Sequence, residues 1–393
     1  MEIRQLTTDD YEASKKLSMY AFQFEMSEEA IEAERSRFVP ERYFGIFADN
    51  RLAAQLTLLP LQTYINGKLF DMGGIANVSS WPEMRRQGLV ARLIRHSLGE
   101  MKRAGQTVSF LAPFSHSFYR KYGWENLLDL KKYTIETSFF PPRAETGGRV
   151  ERRNEDIGLL NGIYESYAKR YNGMLNRTEH WWKTSVFPRK KGHAAVYFRA
   201  DGKPSGYALY QVRQRELTVH EYIVLDDEAK KGLWTFFANH DSMVDRAYLT
   251  VPIDDTLPFE WANPRFKQEI EPYFMARIVD LKRFVEQYPF KETDRKTDLY
   301  IRVTDADASW NEAVWHIEVG PSGAARAQAL SEAAASDKPV ASCDIQTLTA
   351  MLIGYADAAT MVKISRIGGA AEKTAEALMS VIPARTTYMT DFF

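Results

Sequence analysis

A chain of 393 residues exceeds what one hydrophobic core usually organises, so two or three domains of about 100 to 150 residues are expected. Hydrophobic residues make up 45% and charged residues 26% with no repeating period, which excludes disordered, collagen-like and repeat architectures. Lys and Arg number 51 against 52 Asp and Glu, so no global field draws the chain to nucleic acid or to a membrane surface.

In chain order, residues 1–6 read as a strand, and Thr8-Asp9-Asp10 then offer caps for a helix carrying Tyr11, Leu17, Tyr20 and Phe22. No apolar stretch here has the length of a secretory signal, and none later is long enough to span a bilayer. Strands follow at about 43–48, 52–59 and 61–65, with turns at Asp49-Asn50 and Asn66-Gly67. Residues 70–80 continue as a strand broken at Trp81-Pro82, because proline supplies no backbone donor. From Gly88 to about Lys102, Val90, Leu93, Ile94, Leu98 and Met101 recur at helical spacing. A strand at 107–112 and a short helix at 115–122 complete the order β-α-β-β-β-α-β-α.

Pro141-Pro142-Arg143 and Gly147-Gly148 mark a linker, and the charged stretch 291–298 marks a second junction. Three segments result, 1–145, 146–289 and 290–393. The middle one has paired strands within 207–225 and a helix near 234–240. The last has strands near 299–303 and 314–319, an alanine-rich stretch, and helices near 345–354 and 370–382. The fold class is α/β (α+β), mixed sheets flanked by helices. The single Cys343 excludes a disulfide framework or a multi-Cys metal site and fits a reducing, cytoplasmic setting, and no His spacing suggests a metal centre.

The chemistry concentrates at 78–91. A helix start presents unpaired N–H groups and a positive dipole end, so Arg86, Gln87, Gly88, Leu89, Val90 and Ala91 suit a pyrophosphate, with Arg85 adding charge. Gly88 permits close backbone approach. The frayed end of the strand at Val78-Ser79-Ser80 suits an amide-rich arm laid alongside as an extra strand. The same residues also fit an ordinary solvated helix start. A proline-terminated strand before them and an amphipathic helix after them favour the phosphate site.

Here the sequence resembles the GNAT acetyltransferases, whose Q/R-x-x-G-x-G/A motif matches from Arg85 to Val90, with Val90 in place of the small last residue. The run Arg85-Arg86-Gln87-Gly88-Leu89, with Ser117-Phe118-Tyr119-Arg120-Lys121-Tyr122-Gly123 downstream, is similar to the Eis (enhanced intracellular survival) group. That resemblance implies a GNAT domain, a GNAT-like domain and a sterol-carrier-protein-like domain, the last matched at 344–354. It implies that residues 78–80, 86–91 and Phe114-Ser115 contact acetyl-CoA, that Tyr119 is the general acid and that the carboxylate of Phe393 is the general base. It also implies a primary amine acceptor of aminoglycoside or lysine type, and a hexamer. A phenol of pKa about 10 is close enough to a thiol of about 8.5 to protonate it as it leaves. Packing beside Phe118 and Tyr122 is the other reading of Tyr119, and a frayed end is the other reading of Phe393. Asp226-Asp227-Glu228 stands where the middle segment would need a phosphate-binding helix start, so that segment is expected to lack a cofactor. A lipid or small-molecule carrier with a vestigial transferase domain is the rival function.

Overall fold

The computed structural model describes residues 2–393. The first third comprises β1 (Glu2–Gln5), α1 (Tyr11–Phe22), α2 (Glu28–Arg35), β2 (Tyr43–Ala48), β3 (Arg51–Ile65), β4 (Lys68–Ser80), α3 (Leu89–Arg103), β5 (Val108–Leu111), α4 (His116–Arg120) and β6 (Glu125–Glu136). The segments 52–59 and 61–65, expected as two strands, are one continuous β3 through Pro60. β2 accompanies β3 only to Thr57, which leaves one flank of Pro60 open, the place where a sheet tolerates proline. Two elements were not expected: α2, whose start is capped by Ser27, and β6.

The middle third comprises β7 (Arg149–Arg152), α5 (Ile157–Ala168), α6 (Glu179–Trp181), a π-helical turn over Trp182–Val186, α7 (Phe187–Arg189), β8 (His193–Phe198), β9 (Pro204–Arg213), β10 (Glu216–Val224), α8 (Asp227–Ala238), β11 (Arg246–Val251), α9 (Leu257–Glu260), β12 (Lys267–Ile278) and α10 (Leu281–Gln287). Helix α8 begins at Asp227 rather than near Trp234, because the Asp226 carboxylate accepts from the Ala229 N–H and caps the first turn. The last third comprises β13 (Thr297–Thr304), β14 (Ala313–Val319), β15 (Ala325–Leu330), α11 (Glu332–Ala335), β16 (Ala341–Asp344), α12 (Ile345–Ile353), α13 (Ala358–Lys363), β17 (Gly368–Gly369) and α14 (Ala371–Val381). The alanine-rich stretch resolves into β15 and α11.

Strands β13 to β17 form a separate sheet in the order β15-β14-β13-β16-β17, and all the others join one sheet ordered β1-β2-β3-β4-β5-β12-β6-β11-β10-β9-β8-β7. Strand β12 thus inserts between β5 and β6, while β6 reaches across to β11. The linker at 141–148 therefore separates stretches of chain but not sheets.

Within the large sheet two neighbouring pairs are parallel, β4 with β5 and β10 with β11. Each has the same local device. The β4–β5 ladder covers Met72–Ile75 and Val108–Leu111, after which β4 carries a bulge at Asn77-Val78 and runs on to Ser80 while β5 stops. The β10–β11 ladder covers Glu216–Val219 and Arg246–Leu249, after which β10 carries a bulge at His220 and runs on to Val224. A bulge bends its strand and ends pairing, so each pair opens into a notch.

Candidate active site

Helix α3 is held in place by its apolar face, since Leu93, Ile94, Leu98 and Met101 are fully buried against Leu56, Ile75 and Leu111. That packing aims its N-terminus at the open end of the β4–β5 notch. Gly88 is the N-cap with φ +74°, a left-handed backbone that only glycine adopts freely, and a Cβ added there would meet nothing within 4 Å. The N–H groups of Leu89, Val90 and Ala91 are the first of the helix and have no acceptor within it. Arg85, Arg86 and Gln87 are exposed beside them. An open cradle of free donors, two cations and no acid in the first turn fits a pyrophosphate. On the other side of the notch, Ala76 to Ser80 have no β5 neighbour, so one backbone edge at Val78 and Ser80 is available to an extended amide chain.

Tyr119 stands at the inner end of the same notch. Ser115 caps α4 by accepting from the Phe118 N–H, and this short helix turns Tyr119 inward, where it is 3% exposed. Its ring makes edge contacts with Phe114 and Phe118 at 5.5 and 5.1 Å, but its hydroxyl has no hydrogen-bond partner among the described residues. Burial pushes the phenol well above its usual range, so it holds its proton throughout the working pH range.

A cavity of about 600 Å³ joins these groups, bordered by Val78, Phe114 and Tyr119 on one side and by Phe392 and Phe393 on the other. Phe393 is not frayed. Its ring lies on Gly74 of β4, where an added Cβ would come within 2.9 Å of it, and 5.0 Å from the ring of Phe274. The structure thus brings Tyr119, Phe393, Val78 and Phe114 into one cavity, with Ser79 and Ser80 on the same strand, while 85–91 form the start of α3 and do not border that cavity.

Sequence reasoning missed other walls. Helix α1 and the turn after it contribute Lys15, Phe22 and Phe24, and the turn around α6 and α7 contributes Trp181 and Arg189. Trp181 borders the cavity and donates through Nε1 to Asp391 at 2.8 Å, whereas Trp182 is the core residue, fully buried. No acidic side chain borders the cavity among the described residues. Lys15 is paired with Glu34, and Arg189 has no carboxylate partner there. A larger cavity, about 780 Å³, lies between the last domain and Asp129 of β6, away from Tyr119 and Gly88.

Residues 2–127 and 173–278 each match a family described as an acetyltransferase (GNAT) domain, and residues 281–390 match the sterol carrier protein domain. The chain carries two GNAT acetyltransferase domains. It is similar to a protein of Streptomyces griseus named an uncharacterized N-acetyltransferase, at 25% identity over 57% of this chain and 60% of that one. The match therefore spans less than two thirds of that relative. Among solved structures, a probable N-acyltransferase from Enterococcus faecalis superposes with a TM-score of 0.92 at 27% identity, covering 100% of this chain and 99% of that one. Eis1 from Mycobacterium abscessus shares the fold, with a TM-score of 0.82 at 19% identity and full coverage of both chains. Two GNAT units followed by a sterol-carrier-like domain is thus the architecture of this chain. Among the described residues, no helix is long and apolar enough to cross a membrane.

Proposed function

We propose that the chain transfers the acetyl group of acetyl-CoA to a primary amine by direct attack in the 600 Å³ cavity. The observation that carries this reading is the meeting of the β4–β5 notch, the protonated Tyr119 and Phe393 around one space. Acetyl-CoA supplies an activated acyl group on a thiol leaving group. Leu89, Val90 and Ala91 hold its pyrophosphate through backbone N–H groups, and the free edge at Val78 and Ser80 holds the arm and polarises the carbonyl. Tyr119 donates its proton to the departing sulfur. Burial raises the pKa of a thiol as it does that of a phenol, so the two stay matched inside the cavity. The α-carboxylate carried by Phe393 accepts the proton that the ammonium must lose before it attacks. Assembly as a hexamer belongs to the same reading and is checked by sedimentation.

Aromatic walls with Lys15 and Arg189, and no acidic side chain, suit an amine on an apolar or aromatic body better than a polycation, whose charges would be buried without partners. Coupled detection of released thiol is expected to give such monoamines at least ~10-fold higher kcat/KM than aminoglycosides, a difference of about 1.4 kcal/mol in transition-state binding. The opposite order would move acceptor recognition to groups outside the cavity. The carrier reading has the 780 Å³ cavity, but its lining mixes Met351 and Met379 with Asp129, Lys291 and Arg385, which is costly for a buried alkyl chain.

Gly88→Asp places a side chain and a negative charge where the pyrophosphate is read to lie. The position is exposed and spacious, so the fold is expected to survive apart from local strain from the positive φ. Acetyl-CoA affinity by calorimetry is expected to fall at least ~10-fold, with Arg86→Ala milder. Unchanged affinity in a folded variant would remove the cofactor site from this notch.

A further inference from the structure

The second GNAT unit has its own notch, between β10 and β11, and the chain's C-terminal segment lies across it. Thr386 accepts from the Asn172 N–H at 3.0 Å and the Asn172 carbonyl accepts from the Tyr388 N–H at 2.9 Å, a short parallel bridge. The fully buried Tyr388 donates its hydroxyl to the Thr250 carbonyl of β11 at 3.2 Å. On the β10 side stands Glu221, one residue beyond the bulge. Arg177 grips it with two bonds of 2.9 and 2.6 Å, and through Nε grips both oxygens of Asp391 at 3.1 Å. The side chains of Arg177, Glu221 and Asp391 are 0%, 0% and 1% exposed. Lys190 and the Tyr207 hydroxyl complete Glu221, while the Trp181 indole N–H and the Tyr164 hydroxyl, at 3.3 Å, complete Asp391.

We propose that the second unit's notch holds the chain's own C-terminal segment in place of a cofactor, and that Arg177 and Asp391 are positioning residues that set Phe393 in the first unit's cavity. Three observations converge on it. The notch repeats the one read as the arm-binding site in the first unit, yet its helix α8 starts with Asp226, Asp227 and Glu228, acids that refuse a pyrophosphate. The segment reaches both sides of the notch, β11 directly through the bond from Tyr388 to Thr250 and β10 through Arg177, which binds Asp391 and Glu221 together. And the Asp391 carboxylate is spent on Arg177, Trp181 and Tyr164, so it is an anchor and not a second base, while Phe393, two residues on, is delivered onto Gly74. Buried charges are retained here at a desolvation cost, and a fixed geometry is what such a network provides.

The kinetic half of this inference rests on Phe393 acting as the base; the structural half does not. Asp391→Asn removes one negative charge from the cluster. The fold is expected to tolerate it, because asparagine keeps the shape of the side chain and one oxygen acceptor for Arg177 and Trp181. Two measurements on the full chain test the proposal. Release of Phe393 by carboxypeptidase, followed by mass spectrometry, is expected to be at least ~10-fold faster in Asp391→Asn than in the wild type. kcat is expected to drop at least ~10-fold with acetyl-CoA affinity within about twofold, and added imidazole should restore part of the rate, as it should in a chain lacking Phe393. Tyr273→Phe, which removes only the 3.0 Å bond to the Asp391 carbonyl, serves as a milder variant with a smaller acceleration of release if Asp391→Asn does not fold. Unchanged release in a folded Asp391→Asn overturns the clasp, and faster release with unaltered kcat overturns the positioning role. A chain lacking Phe393 that turns over at the wild-type rate overturns the base reading instead, and the release rate then judges the clasp alone.

Discussion

Deleting Phe393, or extending the chain beyond it, is expected to lower kcat by about 10² to 10⁴-fold while acetyl-CoA binds as before, the range typical for losing a positioned proton acceptor. A primary amine arrives as an ammonium of pKa near 10.4, and nothing else on the cavity wall is a free base: the bordering cations are Lys15 and Arg189, and the acids bordering it are none among the described residues. Phe393→Ala separates charge from packing. It keeps the α-carboxylate but loses a ring seated on Gly74 and Phe274, a burial contributing roughly 1.5 to 3 kcal/mol, so activity is expected to fall between the wild type and the deletion. A C-terminally extended protein with wild-type kcat would remove Phe393 from the mechanism and leave the cofactor notch intact.

What the sequence made legible is what neighbouring residues encode together. The run proposed to hold the phosphate, 85–91, is contiguous, and the face of α3 follows from Leu93, Ile94, Leu98 and Met101, so the first could be proposed and the second read from the sequence alone. The single sheet could not, because the insertion of β12 between β5 and β6 pairs residues 267–278 with strands more than a hundred positions earlier, and no local pattern records a partner. The same holds for the clasp. Arg177, Glu221 and Asp391 lie in separate stretches of the chain, and only the fold brings them together and buries them. Trp181 and Trp182 show the limit residue by residue: adjacent in the chain and alike in chemistry, one fills the core while the other borders the cavity and holds Asp391.

Tyr119→Phe is expected to lower kcat about 10²-fold or more with acetyl-CoA affinity nearly unchanged, because it deletes one proton donor and almost no volume. The surroundings allow a clean result: the hydroxyl bonds to nothing among the described residues, so its loss leaves no buried partner unsatisfied, and the ring keeps its edge contacts with Phe114 and Phe118. The pH dependence carries a sign. Burial raises the phenol's pKa, so the protonated form is the one favoured in the folded protein and persists as the pH rises past the ordinary value for tyrosine. Tyr119 therefore contributes no alkaline fall in kcat below about pH 10, and the Tyr119→Phe deficit should be constant across roughly pH 6 to 9. A deficit that shrinks as the pH rises through 8 to 9 would mean that the phenol ionises there and that burial does not govern it. Activity within a fewfold of wild type at every pH would make Tyr119 a packing residue, and the departing sulfur would then take its proton from water entering through the cavity.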